Sequence, residues 1–198
     1  MNREIEVKFR LADPADLRQL LVKCGAERLD FVHEINHILD TPKRRLLSAG
    51  RGLRIRTWRS LDDAERHGAI LTFKGPRAAG EFKSRTEYET ELLDADTALA
   101  ILDRIGFHEV IRYEKRRETW RLGDCEVVLD ELPRLGWFVE IEGPTTDAIQ
   151  SVRQRLNLAD TPVVAETYVH LTARHGEVDD IGRICLTSDS PAWQDRPR

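Results

Sequence analysis

Residues 4–11 alternate without exception: Glu4, Glu6, Lys8 and Arg10 are polar, while Ile5, Val7, Phe9 and Leu11 are apolar. A period of two describes a strand with one apolar and one charged face. The pattern returns along the chain. Arg54 and Arg56 share a face opposite Leu53 and Ile55, Lys74 closes a strand over 69–74, and Glu87, Glu89 and Glu91 share a face of 86–92. Strands over 111–122, 126–130 and 137–142 then place Lys115 with Arg117, Asp130, and Glu140 with Glu142. With a further strand over 31–39, the chain offers about eight strands.

Three amphipathic helices are available to cover the apolar faces. The first opens at Asp13-Pro14, with Leu17, Leu20, Leu21 and Cys24 as its apolar stripe and Gly25 as its stop. The second spans 94–105 and the third spans 145–156 behind Thr145 as N-cap; a short last helix covers 166–173, and residues 43–49 form a turn or two. Residues 75–83 make a basic, glycine-containing loop suited to a lid. Antiparallel hairpins dominate this order, so the class is α+β. A solvated outer face is the common fate of alternating charge. Helices packed outside would instead turn the charged faces inward. The expected architecture is therefore a closed eight-stranded antiparallel β-barrel, a tunnel, with helices around it.

Composition narrows the partners. The chain has 198 residues, which fits one domain over 1–175 followed by a polar C-terminal tail over 176–198. Its 31 basic and 35 acidic residues give a net charge of −4, against the broad basic field of a nucleic-acid binder. No apolar run is long enough for a membrane span and the N-terminus lacks a signal sequence. Three scattered cysteines without a CxxC pair fit a reducing compartment. The expectation is a soluble cytoplasmic protein, monomer or homodimer, with a small-molecule ligand.

The charged faces carry the chemistry. Clustered carboxylates resist ionising together unless a cation joins them. Oxygen-only clusters suit Mg²⁺ or Mn²⁺. Multiple Arg and Lys side chains suit phosphate oxygens. A metal, a basic cradle and a confined space together point to a polyphosphate group.

The ordered series of motifs resembles the CYTH superfamily, the triphosphate tunnel metalloenzymes. Glu4-Ile5-Glu6-Val7-Lys8 is similar to its E-x-E-x-K signature, Leu53-Arg54-Ile55-Arg56 to its R-x-R strand, and Thr72-Phe73-Lys74-Gly75 to its T-x-K-G strand end. Arg85-Thr86-Glu87-Tyr88-Glu89 resembles R-x-E-x-E, Lys115-Arg116-Arg117 resembles K-x-R, and Leu129-Asp130 with Phe138 to Glu142 resembles the last acidic strands. Thr167-Tyr168 is similar to the C-terminal S/T-Y element. The likeness covers roughly residues 2–173 and is strongest to the bacterial class IV adenylyl cyclase and thiamine triphosphatase branch. A His-Phe pair that some members carry ahead of the first strand is not found in Met1-Asn2-Arg3.

The resemblance implies site roles. Lys8, Arg54, Arg56, Lys74, Lys115 and Arg117 would bind the triphosphate, with Lys8 and Arg56 closest to catalysis. Glu4, Glu6, Glu87, Glu89, Asp130, Glu140 and Glu142 would hold one or two Mg²⁺ or Mn²⁺ ions. The substrate would be tripolyphosphate, thiamine triphosphate or ATP, and hydrolysis is the expected reaction. Two alternatives remain: conversion of ATP to cyclic AMP and pyrophosphate, and a non-catalytic polyphosphate- or nucleotide-binding module. Outside this set, His33 and His37 read as surface or edge histidines, and Trp58, Trp120 and Trp137 as packing under helices.

Overall fold

The computed structural model describes residues 2–76 and 83–188, and of residues 2–4 and 83–85 it describes the backbone alone. The class is α+β, a many-stranded antiparallel sheet with few helices. The elements run β1 (Asn2–Leu11), α1 (Ala15–Lys23), β2 (Glu27–Asp40), α2 (Arg45–Ser48), β3 (Gly52–Ser60), β4 (His67–Lys74) and β5 (Lys83–Leu92). They continue with α3 (Ala95–Arg104), β6 (His108–Leu122), β7 (Cys125–Leu132), β8 (Gly136–Gly143), α4 (Thr146–Arg155), α5 (Tyr168–His175), β9 (Glu177–Val178) and β10 (Ile184–Leu186). Of the loop expected as a lid, residues 77–82 lie outside the described residues.

The sheet order is β2-β3-β4-β5-β1-β8-β7-β6-β10-β9, and β2 also pairs with β6. Each of β1 to β8 therefore has two antiparallel neighbours. The β2–β6 ladder runs from Glu27 opposite Arg121 to Asp40 opposite His108, with irregularities near Asp30 and Leu39. Strand β5 divides its length: its first half pairs with β1 and its second half with β4.

The outer faces of β1, β6, β7 and β8 are covered as their alternation requires. Val7 and Phe9, Val127 and Leu129, and Val139 and Ile141 form one core with Trp120, Leu122 and the apolar stripes of α1 and α4. Leu17 and Leu21 of α1 and Ile149 and Val152 of α4 are buried there. The N-cap of α4 is Thr145, whose side chain accepts from Ala148 N–H, and Asp94 caps α3 through Thr97 N–H. Helix α3 buries no residue fully, and Ile101 and Ile105 remain more than half exposed. Among the described residues no helix is long and apolar enough to cross a membrane.

A second core closes over the other end of the strands. Ile38, Ile111, Tyr113, Leu132 and Phe138 meet Tyr168 and Leu171 of α5 and Leu186 of β10. The segment expected as a loose tail thus contributes structure up to Leu186. Strand β10 lies parallel to β6 at Ile111 to Tyr113, the stretch that β6 extends beyond its pairing with β7, which starts at Arg116. An unused ladder edge recruits it, and Leu186 is completely buried.

Three aromatic and histidine expectations resolve differently. Trp120 packs beneath α1 and α4, with Trp137 half-buried beside it. Trp58 lies on the same strand face as Arg54 and Arg56 and rests on Gly68, where a Cβ would approach the indole to 2.9 Å. His33 and His37 are buried, not surface residues: their rings meet Glu114 at 3.1 Å and Glu109 at 2.7 Å on the outer face of β2 and β6. Those carboxylates satisfy the imidazoles, which makes burial of polar groups tolerable.

Candidate functional site

Side chains at i and i+2 of a strand point the same way, so the charged faces of β1 to β8 turn towards one interior. There they line a cavity of about 560 Å³, within the range of small-molecule sites. All six basic side chains singled out by the sequence reach it: Lys8 from β1, Arg54 and Arg56 from β3, Lys74 from β4, and Lys115 and Arg117 from β6. Glu6, Glu87, Glu89, Glu140 and Glu142 line it too. Glu4 enters β1 opposite Arg85, and its side chain lies outside the described residues. Asp130 sits behind the lining and is fully buried.

Burying so many charges costs several kcal/mol apiece unless they are paired, and the pairing is extensive. Arg117 donates to both oxygens of Asp130, with Nε at 2.8 Å from Oδ1, and also to Glu140 at 2.8 Å. Lys115 Nζ lies 3.3 Å from Asp130 and the Tyr168 hydroxyl donates to the same carboxylate at 2.8 Å. Lys8 pairs with Glu140 at 3.0 Å. Lys74 pairs with Glu87. Arg54 approaches Glu89 at 3.6 Å and Thr72 at 3.3 Å, and the Thr72 hydroxyl donates to Glu89 at 2.7 Å.

These contacts divide the acids expected to hold metal. Asp130, Glu87, Glu89 and Glu140 are engaged by the protein's own cations and hydroxyls. Glu6 and Glu142 face one another across β1 and β8, and Glu142 faces Glu126 across β7. Like charges directly opposite on neighbouring strands repel, so the row gathers negative charge on one side of the cavity. Among the described residues, no three acidic, imidazole or thiol groups already stand at metal-binding positions.

Several site residues escaped the sequence reading. Glu34 on β2 is buried beside the basic set, 3.4 Å from both Arg56 and Lys115. Burial alone would raise its pKa, but Lys115, Arg56, Arg117 and Arg54 together hold it well below the carboxylate range. Its neighbour on that face, Asn36, accepts from Arg54 at 3.4 Å. The signal was there, as Glu34 and Asn36 alternate. It was masked because His33 and His37 make the opposite face polar as well, so β2 shows no amphipathic contrast. Tyr113 and Glu126 also line the cavity, as does Tyr168 of the Thr167-Tyr168 element, to which the resemblance attached no role. Glu126 was passed over as the start of a strand whose signal lay in Asp130.

The electrostatics of the basic set are uneven. Burial lowers the pKa of Lys115, and the Arg117 charge beside it adds to the effect. Arg117 goes the other way: burial opposes its charge, but Asp130, Glu34 and Glu140 together outweigh burial and keep it firmly cationic. The Nε–H groups of Arg54 and Arg56 are buried and have no hydrogen-bond partner among the described residues. The strand ends differ in character. Towards the C-terminal end of β2 the lining is apolar, with Ile38, Leu47, Leu53, Pro76 and Val169, whereas the carboxylate row of Glu6, Glu142 and Glu126 lies towards the opposite end.

Comparison with known proteins places this geometry. The CYTH domain model matches residues 2–168. Adenylate cyclase CyaB of Aeromonas hydrophila is 28% identical over 175 residues, covering 83% of this chain and 86% of that protein. A Methanocaldococcus jannaschii protein named for adenylate cyclase is 24% identical over 177 residues, covering 85% of this chain and 97% of the relative. Among solved structures, a Pyrococcus horikoshii protein superimposes with a TM-score of 0.74 at 26% identity, over 86% of this chain and 98% of its own. A Hippeastrum protein named for adenylyl cyclase, and described as having a dominant triphosphatase activity, shares the fold with a TM-score of 0.64 at 16% identity, over 88% of this chain and 96% of its own.

Proposed function

The chain belongs to the CYTH domain family, and from that premise we propose that it is a divalent-metal-dependent enzyme that draws a small triphosphate into a closed eight-stranded tunnel and hydrolyses it. The pairing of β2 with β6, which gives each of β1 to β8 two partners, supports the tunnel. The observation that carries the reading is a single cavity lined by six basic side chains, Lys8, Arg54, Arg56, Lys74, Lys115 and Arg117. Phosphate oxygens are the acceptors that such a set suits, and guanidinium groups match their geometry.

In this reading Arg54, Arg56, Lys74, Lys115 and Arg117 hold the phosphate chain, and Lys8 and Arg56 meet the phosphoryl group that is transferred. Asp130, Glu34, Glu87 and Glu89 set the positions of those cations. Glu4, Glu6, Glu140 and Glu142 would hold Mg²⁺ or Mn²⁺, because an all-oxygen donor set suits hard cations, with Glu140 giving up contacts to Lys8 and Arg117 to do so. When bound, the metal would neutralise phosphate charge and lower the pKa of a bound water. The functional domain takes in the strands and helices up to Leu186, whose side chain packs into the core beside α5. The free thiols of Cys24, Cys125 and Cys185 suit a reducing, cytoplasmic setting.

Cyclisation of ATP is the second reading, favoured by the apolar lining at Ile38, Leu47, Leu53, Pro76 and Val169, which suits an organic group attached to the triphosphate. The relatives named for adenylate cyclase point the same way. The test measures phosphate, pyrophosphate and cyclic AMP released from tripolyphosphate and ATP with Mg²⁺, Mn²⁺ or chelator. Hydrolysis predicts phosphate from tripolyphosphate, abolished by chelator and reduced about a hundredfold or more in Arg56→Ala. Cyclic AMP with matching pyrophosphate would replace hydrolysis by cyclisation, and no product with retained binding would leave a binding module.

A further inference from the structure

We propose that Tyr168 is a positioning residue for the reaction, its ring acting as a fixed platform that aims the Lys8 ammonium into the cavity. The proposal rests on the triphosphate reading above and adds a residue to it. Tyr168 is the first residue of α5. Its ring centroid lies 3.5 Å from Lys8 Nζ and 5.3 Å from Lys115 Nζ. Two cations thus share one aromatic ring. Aromatic quadrupoles attract cations most strongly when both are removed from water, and Lys8, Lys115 and Tyr168 are all buried.

The platform is held on every side. Phe138 meets the ring edge-on with centroids 5.5 Å apart, and Tyr113 lies 6.2 Å away. The hydroxyl donates to Asp130 at 2.8 Å, the carboxylate that also anchors Arg117. The helix start is fixed by Thr167, whose side chain accepts from His170 N–H. Behind α5, Leu171 and Leu186 complete the same packed cluster.

Lys8 has few other holds. Its ammonium touches Glu140 at 3.0 Å and the Glu166 carbonyl at 3.4 Å. Glu140 is shared with Arg117 and belongs to the carboxylates proposed to hold metal. The ring and the Glu166 carbonyl come from α5 and the residues leading into it, so they stay in place whatever Glu140 does. Lys115 keeps Glu34 and Asp130 as partners, and Arg117 keeps Asp130 and Glu140, so removing the ring should leave the five other basic side chains to bind substrate while Lys8 is misaimed. The loss then falls on kcat more than on KM.

The experiment compares wild type, Tyr168→Phe and Tyr168→Leu on tripolyphosphate with Mg²⁺ or Mn²⁺. It also records the ring-current shift of the Lys8 ε-methylene protons by NMR. Tyr168→Leu should lose kcat by about tenfold, with KM within about threefold, and should lose the upfield Lys8 shift. Tyr168→Phe keeps the ring and should keep that shift and most of kcat. Unchanged kcat in a folded Tyr168→Leu would overturn the proposal, as would a KM-only effect or an unshifted Lys8 signal in the wild type. If Tyr168→Leu fails to fold, Tyr168→Phe and the wild-type shift decide. If wild type turns over no triphosphate, the hydrolase reading fails separately, and the Lys8 shift alone decides whether the ring holds the ammonium.

Discussion

Glu34 shows how far a single residue can shape a site without touching the ligand. It is an anion buried among Arg54, Arg56, Lys115 and Arg117, and their charges keep it ionised. Neutralising it would leave those cations uncompensated in a dry interior. Glu34→Gln should therefore destabilise the ligand-free protein by about 3 kcal/mol, read as a lower urea midpoint, and added tripolyphosphate should recover part of that loss. A second carboxylate works outside the cavity. Glu109 takes hydrogen bonds from His37, Arg112 and Arg183. Burial pushes its pKa up, but the His37 and Arg112 contacts prevail and hold it at about 2 against 4.5. A depressed folded pKa means this stabilisation is complete above pH 4.5 and drains away as pH falls towards 2. Melting temperature should drop across that window in the wild type, and less steeply in Glu109→Gln. Individual residues such as Arg54, Arg56, Lys8 and Glu142 were legible from strand alternation alone. Glu34 and Tyr168 were not, because the first lies on a strand polar on both faces and the second on a helix whose docking is a tertiary event.

The elements differ in how openly their sequence announces them. Helix α4 declares itself through its Thr145 cap and apolar stripe, and α1 through its stripe, although its N-cap is Pro14, without a side-chain cap, and not Asp13; both cover the faces that alternation leaves bare. Strand β10 has only three residues in a polar segment, so no periodicity marks it. It forms because β6 outruns β7 and leaves a ladder edge open beside Tyr113. Its anchor is Leu186, completely buried against α5 and β6. Leu186→Ala should cost about 2–4 kcal/mol by denaturant unfolding, whereas Val178→Ala, at an exposed position of β9, should change stability by less than about 0.5 kcal/mol. Equal effects would mean that β10 does not support α5.

Across the whole molecule, both signs of charge are gathered inside. The chain carries a net −4, and its interior cavity sets Lys8, Arg54, Arg56, Lys74, Lys115 and Arg117 beside a comparable set of glutamates. A ligand that binds only the folded state raises stability by mass action. Tripolyphosphate at a hundred times its Kd should add about 2.7 kcal/mol, visible as a rise in melting temperature that high salt weakens and that Arg56→Ala abolishes. An unchanged melting temperature would reduce the interior to a salt-bridged scaffold. By itself the sequence determined the α+β class, the strand faces, the helix starts at Asp94 and Thr145, and the charge set of the interior. Those are local properties, fixed by periods of two and 3.6 and by caps that act within a turn. Tertiary structure alone decided which acids pair with Arg117, Arg56 and Lys74, that His33 and His37 are buried, and that Tyr168 reaches Lys8. Those outcomes depend on strand register and on where a helix docks, and residues such as Lys8 and Tyr168, far apart in the chain, carry no local mark of the partner that folding will bring to them.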